Sequence, residues 1–139
     1  MSSCRILYVD DNSDDRDLAV VMFNYSDTDC QVISAESAEE ALWLIEKEPF
    51  DAYIFDCWLP EMSGVELCRY IRQFDPDTPI LFFSALARPN EVAEALEAGA
   101  SDYLVKPNDL ERLPETVKRY LSEKPRALKT ERATLIAGY

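Results

Sequence analysis

Five short apolar runs, each followed by a segment with helical spacing, recur along this chain, and their alternation restricts its fold more than any other feature. The runs are RILYV (Arg5–Val9), QVISA (Gln31–Ala35), AYIF (Ala52–Phe55), ILFF (Ile80–Phe83) and DYLV (Asp102–Val105). All are four or five residues long and rich in β-branched and aromatic side chains, which suits buried strands. Leu18, Val21, Met22 and Tyr25 give helical spacing over Ser13–Tyr25, with Asn12 or Ser13 as its cap. A capping box is read at Ser37–Glu40, ahead of a helix facing inward through Ala38, Ala41, Leu42 and Ile45 and stopped by Pro49. Glu61–Gly64 reads as a loop before a third helix marked by Val65, Cys68 and Ile71. Pro89–Ala98 is a fourth helix, stopped at Gly99. Pro114 separates a turn over Asp109–Leu113 from a fifth helix that starts near the proline itself. Strands alternating with helices predict an α/β fold, a mostly parallel sheet with helices on both faces.

Ligands bind such sheets in the crevice beyond the C-terminal ends of the strands. Asp10 and Asp11 follow the first strand, Asp56 the third, Ser84 the fourth and Lys106 the fifth. The second strand, expected near an edge, ends in Ala35-Glu36-Ser37 and adds nothing evident. Each residue alone has an ordinary role as a helix-leading acid, a turn or a surface lysine. Asp56 alone could cap the next loop or helix, but a carboxylate ending a buried strand loses solvation unless something pairs with it. Convergence at four strand ends out of five favours a site over chance.

The 139 residues contain no histidine, which removes imidazole bases, His-based triads and most zinc sites. Three crowded carboxylates raise one another's pKa or recruit a cation, and an all-oxygen set suits Mg²⁺, with Mn²⁺ as the alternative. Opposite them, Lys106 and Ser84 suit phosphoryl oxygens, and a carboxylate can itself accept the phosphoryl group. The net charge of −13 argues against direct nucleic-acid binding. No run reaches the roughly 18 apolar residues of a membrane span. With no targeting signal at the start, a cytoplasmic protein with no membrane contact is expected. The four cysteines form no CxxC pair and read as buried free thiols.

The motifs ILYVDDN (Ile6–Asn12), YIFDCWLPEMSG (Tyr53–Gly64), PILFFSA (Pro79–Ala85) and AGASDYLVKP (Ala98–Pro107) together resemble the receiver domain of bacterial two-component response regulators, over roughly residues 4–121. The resemblance implies a flavodoxin-like, doubly wound sheet of order 2-1-3-4-5. It makes Asp56 the phosphoacceptor, and Asp10, Asp11, Asp56 and the Trp58 backbone carbonyl the metal ligands. Ser84 and Lys106 would contact the phosphoryl group, and Ser84 and Tyr103 would switch on phosphorylation. Trp58 and Leu86 stand two residues after Asp56 and Ser84, where the family places the path of the hydrolytic water. Both are large and apolar, so they are expected to tune the phosphoryl lifetime, unless Trp58 serves as a partner-docking residue.

A chain without histidine must receive its phosphoryl group from outside, so a histidine kinase or histidine phosphotransfer protein is the implied donor, with a downstream protein as target. A homodimer through the face of the fourth helix, fifth strand and fifth helix is compatible with the resemblance. Residues 1–121 are expected to form the receiver and 122–139 a tail or linker, with no output domain after Leu121. Two other classes compete with this signalling, non-enzyme reading. One is a receiver-shaped interaction scaffold that is never phosphorylated. The other is an aspartate-nucleophile phosphatase, disfavoured because its second Asp is replaced by Trp58.

Overall fold

In the computed structural model, which describes residues 4–123, the five apolar runs lie side by side as one sheet. The strands are β1 (Cys4–Val9), β2 (Cys30–Ala35), β3 (Ala52–Phe55), β4 (Ile80–Ser84) and β5 (Asp102–Val105). All neighbours are parallel, in the order β2-β1-β3-β4-β5. Between and after them run α1 (Ser13–Tyr25), α2 (Ala38–Lys47), α3 (Gly64–Arg72), α4 (Pro89–Ala98) and α5 (Leu113–Glu123). A 3₁₀ turn at Leu110–Arg112 precedes α5. The doubly wound fold and its strand order are those expected, with β2 at an edge.

Alternation along each strand divides the core into two layers. Leu7, Val9, Tyr53, Phe55, Ile80 and Phe82 pack with α2, α3 and α4. Ile6, Tyr8, Ala52, Ile54, Leu81 and Phe83 pack with α1 and α5. β3 is buried at all four positions because it is covered on both faces and flanked on both edges. Each large apolar side chain so removed from water, such as Ile54 or Phe55, contributes about 1.5–3 kcal/mol.

Register brings the strand ends level. Val9 pairs with Phe55, Phe55 with Phe82, and Ser84 with Val105. The ladder continues one step past the strands, with Asp10 N–H donating to Ala35, Asp56 N–H to Val9 and Lys106 N–H to Ser84, each at 3.0 Å. The polar residues therefore leave the sheet at one height with their backbones fixed.

Local details depart from expectation at several points. α1 turns Ala19 and Phe23 inward, whereas Leu18, Val21 and Tyr25 are exposed, Tyr25 at 87%. The apolar spacing located this helix, and its buried face is supplied by Ala19 and Phe23. Ser37 caps α2 by accepting from Glu40 N–H, but Glu40 reaches back to Glu36 N–H rather than to Ser37. A reciprocal capping box is found instead in the segment read as loop, between Ser63 and Glu66 at the start of α3. The cysteines are free, but only Cys68 is buried; Cys4, Cys30 and Cys57 are partly exposed, because the first two begin their strands and the third follows one. Ser122 and Glu123 close α5, and the rest of the expected tail, 124–139, lies outside the described residues.

Candidate functional site

β1 and β3 hold the three carboxylates. Asp10 is fully buried, Asp56 is mostly buried, and Asp11 is exposed. Each offers an oxygen within 4.8 Å of the others. An all-oxygen, carboxylate-rich set of this kind suits a hard divalent cation, which Asp10, Asp11 and Asp56 would hold. Asp10 is fixed on all sides: Tyr8 hydroxyl donates to its Oδ2 at 3.1 Å, Asn12 N–H to its Oδ1 at 3.0 Å, and Arg16 to its carbonyl at 2.7 Å. Asp11 has no such anchoring role and faces solvent.

Lys106 leaves β5 and reaches across the carboxylates. Its ammonium donates to Asp10 at 2.6 Å, to Asp15 at 2.8 Å and to Asp56 at 3.3 Å. Burial alone would lower its pKa, but the hydrogen bonds to Asp10 and Asp15 and the surrounding negative charge outweigh that and raise it. Lys106 is therefore a permanent cation. At Asp56, burial raises the carboxyl pKa and Asp10 adds to the rise; Lys106 and the Ser84 hydroxyl oppose this without cancelling it. The result is a desolvated carboxylate beside a fixed positive charge.

Ser84 is buried at the end of β4, and its Oγ accepts from Leu86 N–H at 3.3 Å. Tyr103 lies with its ring stacked on Phe82, the centroids 5.8 Å apart and the planes 4° from parallel. Its hydroxyl donates to the Leu86 carbonyl and contacts Cys57 Sγ at 3.1 Å. Trp58 stands 66% exposed in the loop after β3, and Leu86 is half-buried in the loop after β4.

The structure thus brings Asp10, Asp11, Asp56, Ser84 and Lys106 together and ties Tyr103 to Leu86. Two residues were not singled out from the sequence. Asp15 is on the first turn of α1, where an acid reads as a dipole partner, and nothing local signals that it reaches Lys106. Gly64 begins α3 against the Asp56 backbone; a Cβ there would stand 2.1 Å from the Asp56 carbonyl oxygen. Its place at the end of the motif YIFDCWLPEMSG was the available signal.

Fold and site together define a doubly wound parallel α/β domain with an acidic, lysine-bridged crevice at the C-terminal ends of its strands. The family model for the response regulator receiver domain matches residues 6–118. Response regulator protein PilR of Pseudomonas aeruginosa is 40% identical over 117 residues, covering 84% of this chain and 26% of that protein. Response regulator MprA of Mycobacterium leprae is 33% identical over 117 residues, covering 84% and 50%. Among solved structures, a putative response regulator from Chloroflexus aurantiacus superposes with a TM-score of 0.80 at 33% identity, covering 87% of this chain and 99% of that one. The BeF3-activated DrrB receiver domain gives 0.77 at 30% identity, covering 87% and 99%. The chain belongs to the response regulator receiver domain family, whose members are phosphorylated on aspartate in two-component signalling. It spans between a quarter and a half of the length of these two curated relatives. Among the described residues no helix is long and apolar enough to cross a membrane.

Proposed function

We propose that Asp56 is the phosphoacceptor, in a reaction that uses a divalent cation held by Asp10, Asp11, Asp56 and the Trp58 carbonyl. The observation that carries this reading is the juxtaposition of Asp56 with two further carboxylates within 4.8 Å and with Lys106 at 3.3 Å. An Asp56 oxygen attacks phosphorus, the bond from phosphorus to the donor's nitrogen or oxygen breaks, and an acyl phosphate forms. Lys106 neutralises one phosphoryl oxygen and Ser84 donates to another. The cation, Mg²⁺ or Mn²⁺, supplies further charge neutralisation at the transferred group.

Movement of Ser84 towards the new group would carry the Ser84–Leu86 loop, and with it the carbonyl that holds Tyr103. That couples the acceptor to the face of α4, β5 and α5, which would engage a downstream protein or a second copy of the chain. The donor would be a histidine kinase or histidine phosphotransfer protein. Trp58 and Leu86 would limit the approach of hydrolytic water, so Trp58→Asn with Leu86→Glu is expected to shorten the phosphorylated lifetime.

The test is incubation with Mg²⁺ and acetyl phosphate or beryllofluoride, with intact mass and fluorescence as readouts. Stoichiometric modification that disappears in Asp56→Asn supports the reading. Modification at another residue, or none despite metal binding, overturns it. The similarity to a receiver solved in its BeF3-activated form supports the choice of beryllofluoride as probe.

A further inference from the structure

At the opposite end of the sheet from the acidic site, Cys4 and Cys30 are the first residues of β1 and β2 and pair directly in register. Neighbouring strands stand about 4.7–4.9 Å apart, inside the roughly 4.4–6.8 Å between Cα atoms that a disulfide spans. Strand starts yield more readily than strand centres, so the side chains can make the small approach that bonding requires. Both residues are partly exposed. They open on a groove of about 330 Å³ that is also lined by Thr28, Lys118 and Leu121. Small disulfide reagents therefore have a way in.

We infer that Cys4 and Cys30 form a reversible disulfide, a redox modification site at the base of the sheet that is independent of the acidic crevice.

The two thiols are chemically unequal. The hydrogen bond from Cys4 holds the Cys30 thiol below its ordinary pKa, and Thr28 assists, although burial and the nearby Asp29 and Asp51 work against it. The same contact with Cys30, followed by burial, raises Cys4. That asymmetry favours Cys30 as the attacking sulfur and Cys4 as the resolving one, and the exchange reaches the same disulfide from either side. With oxidised glutathione as the oxidant, the Cys30 thiolate attacks one glutathione sulfur, its S–S bond breaks, and the first glutathione leaves and takes up the Cys30 proton. Cys4 then loses its proton, attacks the Cys30 sulfur of the mixed disulfide and expels the second glutathione. Two electrons and two protons pass from the protein pair to the glutathione pair. The remaining cysteines are poor competitors. Burial raises Cys57, whose sulfur is bonded to Tyr103, and pushes fully buried Cys68 up to about 11.

The experiment treats the intact folded chain with a series of reduced-to-oxidised glutathione ratios, quenches with acid, unfolds the chain in guanidinium, alkylates the free thiols, and maps the products by mass spectrometry of proteolytic peptides. Alkylatable thiols should fall from four to two, with a Cys4–Cys30 cross-linked peptide that dithiothreitol removes. Cys4→Ser should stop at a mixed disulfide on Cys30, and in the untreated chain Cys30 should be alkylated before Cys4. An unchanged count of four thiols overturns the inference, as does a cross-link between chains or glutathione confined to Cys57. Since the primary readout uses the unmutated chain, failure of the variant to fold leaves it decisive.

Discussion

The Lys106 ammonium sits closer to Asp15 than to Asp56, 2.8 Å against 3.3 Å. Under the proposed function, a phosphoryl group on Asp56 would share a cation that a residue outside the acidic triad already holds. Asp15 is the less buried partner, so the competing bond is modest, about 1 kcal/mol. Removing it in Asp15→Asn should tighten beryllofluoride binding about fivefold at saturating Mg²⁺, while lowering folding stability by a similar energy. A titration showing equal or weaker beryllofluoride binding would remove Asp15 from any role in setting the phosphorylated state.

Asp11 offers a direct test of the cation site because it is exposed and supports no packing. Asp11→Asn should leave the urea midpoint unchanged and weaken Mg²⁺ binding at least about tenfold, through loss of a charged oxygen ligand. Quenching of Trp58 fluorescence during a Mg²⁺ titration reads this, with Trp58→Phe as control for Trp43. Equal affinity in the variant would place the cation elsewhere.

Acid sensitivity should come in part from the corner between α3 and β4. Asp75 accepts from Asp77 N–H and Thr78 N–H at 3.1 Å each and from the Thr78 hydroxyl at 2.6 Å. Burial would raise its carboxyl, but these donors outweigh burial and hold it below the ordinary value of 3.8. A depressed folded-state pKa stabilises the fold above the unfolded-state pKa, and that stability is lost as pH falls through the folded one. Asp75→Asn should therefore cost about 2 kcal/mol at neutral pH, and the gap to the unmutated chain should narrow as pH falls below 3.8. Urea melts across that range measure it; a gap independent of pH would mean that the charge contributes nothing.

How much of this was legible in the sequence follows from which interactions are local. Strand runs, the Asn12 cap, the stop at Gly99 and the break before Pro114 are set by nearby residues, and all stand where periodicity and turn chemistry put them. Asp10, Asp11, Asp56, Ser84 and Lys106 were found because a parallel sheet collects strand ends at one edge, whatever the details of packing. The inward face of α1 was not legible: Leu18 and Val21 are apolar yet exposed, and Ala19 and Phe23 are the residues that pack against the sheet. The Asp15–Lys106 pair joins residues 91 positions apart through side-chain reach, which no local pattern encodes. Cys4 and Cys30 became a pair only through the β1–β2 register.

Gly64 shows how closely the acceptor depends on its support. Its N–H donates to the Cys57 carbonyl at 3.0 Å, and α3 begins so near β3 that any Cβ would meet the Asp56 carbonyl oxygen at 2.1 Å. A ring carbon of Phe82 would stand 3.1 Å from the same added Cβ, itself a tight contact. In Gly64→Ala the strain must be relieved by moving the Asp56 backbone or the start of α3, at a cost of about 1–3 kcal/mol. The shift displaces Asp56 from Lys106, Asp10 and Asp11 together, because all are fixed to the same sheet edge. The variant should thus lose both stability in urea and beryllofluoride binding, although Gly64 touches neither phosphoryl group nor metal. Destabilisation with unchanged beryllofluoride affinity would show that the Asp56 carboxylate is positioned by its side-chain partners alone.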